Sequence, residues 1–355
     1  MLTSWETHTT KYTMSVKKQT VLVIGGTGAQ GRPVVHALTE DRKYNVHVLT
    51  RSAKSTAALE VASCPGVTII EGDSYDDATL YAAYTGIDLT YVNLNGAALG
   101  EKGEIYWGMR IFEIARECGV KHFVWGSLPY VLKLGNFESR FRTGHLDGKG
   151  KVADFLISQP KEPMAWTILT SCMYLQMFSE FLAPYPDSDA PDTLVFAAPV
   201  GKGSPPMIHL PDLGRYARWV FDTPEKSNGL NLEIATENIR WDHLAKTFSE
   251  VTGKKAVFKD LTLDEYFASA ERPAPDRKIG HQVDPLDPTL QTWRDDFSGF
   301  WNTWKADNVR YNYSVLDEIL PTRVKTLKEW MEITGYKGER APVLKDYPDK
   351  AKNLA

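Results

Sequence analysis

Three side chains in this sequence have the types and spacing to move a proton. Ser127 closes a run of apolar and aromatic residues that begins at residue 122, and His145 stands four residues before Lys149. If residues 147–158 form a helix, positions 145, 149, 152 and 156 share one face, which joins His145 and Lys149 to the apolar Val152 and Leu156. Lys151 then falls on the other side and faces water. A lysine turned inward among apolar neighbours is partly desolvated, which favours release of its proton and suits it to general acid–base work. A histidine at the start of a helix admits a structural role as well as a catalytic one.

The group such residues would serve is indicated upstream. Gly25-Gly26-Thr27-Gly28-Ala29-Gln30-Gly31 follows a β-branched run at residues 20–24 and precedes a helical pattern at residues 32–40. A pyrophosphate needs backbone amides aimed at it, close approach free of side chains and the positive end of a helix. Gly25 allows the tight turn, Gly28 the approach, and Gly31 the packing of helix on strand, so a bound dinucleotide is expected. The second strand ends in Arg51, where an acidic residue would hold the 2′-hydroxyl of NAD(H). A guanidinium there, with Lys54 nearby, suits a 2′-phosphate, and the expected cofactor is NADP(H). Asp73 and Asn93, after the third and fourth strands, are placed by topology along the adenine, ribose and phosphates. Beside a nicotinamide, Lys149 has two readings: a proton donor, or only a hydrogen-bond donor to ribose.

These residues require a particular scaffold. Short β-branched runs at residues 20–24, 45–50, 67–71, 88–93, 122–126 and 166–170 alternate with helical stretches, among them residues 105–117 ending at Gly119. That is the pattern of a doubly wound parallel sheet of Rossmann type. After Tyr174 the alternation fails among Pro184, Pro186, Pro191, Pro199, Pro205 and Pro206, so a smaller, irregular α/β lobe is expected over residues 175–355, with the chain crossing back to the sheet. Residues 19–174 form the nucleotide domain and residues 1–18 a mobile extension. Trp293, Phe297, Phe300, Trp301, Trp304, Tyr311 and Tyr313 are too many large aromatics to leave in water. They are expected to pack the small lobe's core, some of them lining an apolar pocket between the lobes.

Composition narrows the field further. At 355 residues with a net charge of -4, the chain has no general attraction to nucleic acid or to an anionic membrane. No apolar run approaches a membrane span. Three scattered cysteines and eight histidines show neither disulfide nor metal-site spacing, so a cytoplasmic protein without a metal is expected.

The glycine loop with Arg51 behind it, residues 145–152 (HLDGKGKV), the Pro211-Asp212-Leu213-Gly214 turn and Thr326-Leu327-Lys328-Glu329-Trp330 together resemble the NmrA-like family. That family belongs to the atypical short-chain dehydrogenases/reductases, near the isoflavone and phenylcoumaran benzylic ether reductases. The resemblance runs from about residue 20 to residue 336. It implies an NADP(H)-binding Rossmann domain with a small C-terminal lobe, and two kinds of activity. One is an NADPH-dependent reductase passing hydride to a small apolar, conjugated or aromatic acceptor. The other is a non-catalytic NADP(H) sensor that engages a protein partner. Ordinary short-chain reductases pair the strand-end serine with tyrosine and lysine four apart. Here Ser127 and Lys149 match, but His145 replaces the tyrosine, which departs from ordinary carbonyl reduction. The related ether reductases imply Lys149 as the acid–base group, with Ser127 or His145 assisting. The resemblance also places Met173 and Tyr174 where the family's chain passes the nicotinamide, there to shape the substrate pocket or to pack the core.

Overall fold

The computed structural model describes residues 18–269 and 272–344. Apart from Lys18, the N-terminal extension expected over residues 1–18 lies outside the described residues. Six strands, β1 (Thr20–Ile24), β2 (Asn45–Thr50), β3 (Val67–Glu71), β4 (Leu89–Val92), β5 (His122–Ser127) and β6 (Ala165–Thr170), build the main sheet, and Asn231–Glu233 adds a seventh at its edge. All seven are parallel, in the order Asn231–Glu233, β6, β5, β4, β1, β2, β3. Every residue of β4 and β5 is buried, as a strand covered by helices on both faces must be. The fold is thus the doubly wound α/β architecture that the alternating runs imply. The strand order reverses between β1 and β4, which opens a crevice at their carboxyl ends.

The Gly96–Glu117 helix begins nine residues before the pattern at residues 105–117. Glycines at 96, 100, 103 and 108 dilute the apolar period, and Gly100, at φ 70° and ψ 169°, breaks the helix with a kink. At Gly108 a Cβ would meet Val152 Cγ2 at 2.7 Å, so this helix and Gly144–Ile157 approach closely because the side chain is missing.

From Met173 onward the chain forms two further three-stranded sheets. Pro206–Ile208 lies between Met173–Tyr174 and Glu237–Asn238, and Thr193–Ala198 between Tyr185–Pro186 and Lys255–Asp260. This region is joined to the main sheet through Asn231–Glu233, which pairs with β6. The Leu210–Asp222 helix also lies against Gly31–Thr39, where a Cβ on Gly214 would come within 2.2 Å of the Pro33 carbonyl oxygen. Trp301 and Trp304 are buried, and Trp293 and Phe297 pack half-buried against the same core. No helix among the described residues is long and apolar enough to cross a membrane.

Candidate active site

A cleft of about 410 Å³ opens where the strand order reverses. One end is the glycine loop and Arg51, the floor carries Asn93 and Lys149, and the far wall is Phe181, Trp293, Phe297, Phe300 and Trp304.

Backbone packing shapes the loop. Gly25 has φ +80°, and a Cβ on it would lie 2.3 Å from the Asn93 carbonyl oxygen; one on Gly31 would lie 2.1 Å from the Gly25 oxygen. At Gly28 a Cβ would meet only the Gly25 oxygen, at 3.3 Å, so this residue turns its bare face to the cleft. Thr27, Ala29 and Gln30 also line it. Gln30 is nearly buried and its amide braces the loop against the sheet. Nε2 donates to Ser171 Oγ at 3.0 Å and to the Tyr174 hydroxyl at 2.7 Å, while Oε1 accepts from Tyr91 at 3.2 Å. Burial pushes the Tyr174 phenol up to about 12, so it stays neutral at physiological pH.

Arg51 lies just past β2 with an exposed side chain that borders the cleft. Lys54, also exposed, and Asp73 are not among the lining residues. Asp73 Oδ1 instead accepts the backbone N–H of Tyr75 at 3.0 Å, and it is Tyr75 that faces the cleft.

Lys149 is 5% exposed. Its ammonium lies 2.8 Å from Glu104 Oε1 and donates to Asn93 Oδ1 and the Leu94 carbonyl, each at 3.0 Å, with the Gly126 carbonyl at 3.4 Å. The Trp125 ring, 5.1 Å away, adds a cation–π contact. Glu104 is wholly buried. Burial raises its carboxyl above the ordinary range, and the Lys149 charge opposes that rise. The carboxylate is also the buried counter-charge of the ammonium. The only sequence signal for Glu104 is its spacing: positions 104, 108, 111 and 115 form one buried helical face.

Ser127 is fully buried and not part of the cleft lining. Its hydroxyl donates to the Leu128 and Lys149 carbonyls at 3.2 and 3.3 Å, tying β5 to the Gly144–Ile157 helix. The acid–base assistance expected of it has no exposed group to act through. Lys151, expected in water, is one-third exposed, paired with Glu101 and 5.8 Å from the Tyr130 ring.

His145 does line the cleft. Nδ1 pairs with the buried Asp296, and the ring stacks on Phe297 with centroids 5.6 Å apart and planes at 22°. The backbone N–H of His145 donates to Asp296 Oδ1 at 3.2 Å and that of Gly144 to Gln291 Oε1 at 2.8 Å, so the small lobe caps this helix. Burial disfavours the imidazolium, but the charge of Asp296 and its hydrogen bond, with Glu104 and Asp147 adding, hold the His145 pKa above its ordinary value. Asp296 and Gln291 lie about 150 positions downstream, too far for motif spacing to connect them with His145. Among the described residues, no group of three or more His, Cys, Asp or Glu is placed to hold a metal ion.

The model of the NmrA-like family matches residues 17–282. This chain belongs to the NmrA-like family. Among its relatives is the NmrA-like family domain-containing oxidoreductase hkm9 of Aspergillus hancockii, 30% identical over 267 residues that cover 72% of this chain and 78% of the relative. Two solved structures share the fold. NmrA, a negative transcriptional regulator in complex with NADP, aligns with a TM-score of 0.64 and 17% identity over 95% of this chain and 97% of its own. The Citrobacter sp. triphenylmethane reductase complexed with NADP(H) aligns with a TM-score of 0.65 and 17% identity over 88% and 99%. The NmrA-like fold thus carries both a regulator and a reductase, and the side chains of the cleft must decide between them.

Proposed function

We propose that this NmrA-like chain is an NADP(H)-dependent oxidoreductase that passes hydride to a small apolar, conjugated or aromatic acceptor. The carrying observation is that one continuous cleft joins a bare Gly28 and an arginine at one end to an aromatic wall at the other, with a buried cation between them. The residues present fit the nucleotide. Gly25, Thr27, Gly28, Ala29 and Gln30 would cradle the pyrophosphate, Arg51 would meet the 2′-phosphate, and Asn93 and Lys149 would hold the nicotinamide ribose. When bound, the cofactor supplies the hydride. The chain binds and orients it, and the aromatic wall excludes water from the reacting face. In this reading residues 19–174 hold the nucleotide, the following lobe closes the cleft, and the free thiols of Cys64, Cys118 and Cys172 suit the cytoplasm.

The rival reading, a sensor without turnover that binds a protein partner, would be favoured by aromatics presented to solvent. Instead Phe181, Phe300 and Trp304 are buried and turned into the cleft. The test is NADPH oxidation against quinones, enones and triarylmethane dyes. Turnover with at least one acceptor is expected; tight NADPH binding without turnover, coupled to capture of a protein, would favour the sensor.

A further inference from the structure

We propose that the proton delivered during reduction comes from Nε2 of His145, held by Asp296, and that Lys149 is a fixed cation that does not transfer one. This rests on the reading of the cleft as a reductase site.

An ammonium has three protons, and Lys149 has three hydrogen-bond acceptors within 3.4 Å, Asn93 Oδ1 and the Leu94 and Gly126 carbonyls, with the Glu104 carboxylate 2.8 Å away as its counter-charge. To pass a proton to an acceptor molecule it would have to leave this set and strand a wholly buried carboxylate. His145 is arranged the opposite way. Asp296 takes Nδ1, the Phe297 ring fixes the plane, and the one-fifth-exposed side chain borders the cleft with Nε2 unclaimed by any described residue. Asp296, itself buried, is a positioning residue in the sense of a carboxylate that sets the tautomer and favours the imidazolium. The charged groups acting on the ring are Asp296 from the Trp293–Ala306 helix, which pairs with it, Glu104 from the Gly96–Glu117 helix, and Asp147 on its own helix, while Lys149, one turn on, is paired with Glu104.

The step balances. The acceptor carbon gains a hydride pair from the reduced nicotinamide, which is oxidised. The Nε2–H bond breaks, and its proton goes to the acceptor atom that takes up the negative charge. The neutral imidazole, still bonded to Asp296 through Nδ1, is recharged by a hydrogen ion from bulk solvent, so each turnover consumes one.

Two measurements test this together. In the protein without cofactor, NMR titration of the imidazoles, with the His145 signal assigned by its loss in His145→Gln, should place His145 above the ordinary value of about 6.5. Asp296→Asn should lower it. At saturating NADPH, His145→Gln should reduce kcat by roughly 100-fold or more, the scale of a positioned acid, with NADPH Kd within about twofold. Asp296→Asn should lower kcat and move the alkaline limb of its pH profile to lower pH, which a merely structural contact would not do. A His145 that titrates below 6.5, or a folded His145→Gln that keeps more than a tenth of wild-type kcat, would overturn the proton assignment and leave the reductase reading intact. If the wild type binds NADPH but reduces nothing, the reductase reading falls and takes this proposal with it.

Discussion

Glu104 Oε2 occupies the space where a side chain on Gly96 would begin: a Cβ at residue 96 would lie 2.1 Å from it. The two residues are eight apart in one helix, about 12 Å along a straight α-helix. The left-handed kink at Gly100 folds the first turn back and brings them together. Gly96→Ala should therefore destabilise by about 1–3 kcal/mol, the usual cost of overpacking, and weaken NADPH binding by displacing the partner of Lys149. Urea denaturation and calorimetric titration would check both.

Lys149→Met leaves the Glu104 carboxylate buried without its cation. The expected loss is about 3–5 kcal/mol, more than the removal of a surface charge would give. Adding Glu104→Gln should recover most of that stability. Thermal denaturation of the single and double variants decides the matter, and equal losses in both would show that the pair is not coupled.

Arg51 faces the cleft where the adenosine 2′-position is expected. NADPH should bind at least roughly tenfold more tightly than NADH, because a charge-assisted contact contributes about 1.5–3 kcal/mol. Arg51→Glu should abolish or reverse the preference in a titration of both nucleotides.

Gly28→Val should eliminate nucleotide binding while thermal stability changes little. Its φ is not in the left-handed region, and an added Cβ meets no atom closer than 3.3 Å. The branched side chain would instead fill the path of the phosphates. Unchanged NADPH affinity would show that the loop is a turn and nothing more.

The parallel sheet was legible because short β-branched runs recur at regular intervals between helical stretches, and the glycine loop because bare backbone at a strand end has few other uses. The partners that set each side chain's task were not. Lys149 reads as inward-facing from helical spacing alone, but the carboxylate against it comes from a helix whose apolar period is diluted by four glycines. His145 reads as ambiguous because Asp296 reaches it from 151 residues away. Ser127 stands where a strand-end serine would serve chemistry, yet a close-packed helix carbonyl claims its hydroxyl.

Folding stability should depend on pH through His145. Its folded pKa is raised, so its pairing with Asp296 contributes fully below the unfolded value near 6.5 and is lost as pH rises through the folded value. Asp296→Asn should remove that decline. Denaturation midpoints collected across pH 5.5 to 9 would reveal it, and identical slopes in both proteins would exclude the linkage.

The cap on the Gly144–Ile157 helix also gives the molecule a built-in reporter of breathing. The Gly144 and His145 amides donate to Gln291 and Asp296, across the seam between the sheet's helices and the aromatic wall. They can exchange with deuterium only when that seam separates. Their exchange rates measure how often the cleft gapes, and a ligand that bridges floor and wall should slow these two amides while leaving those of β5 unchanged.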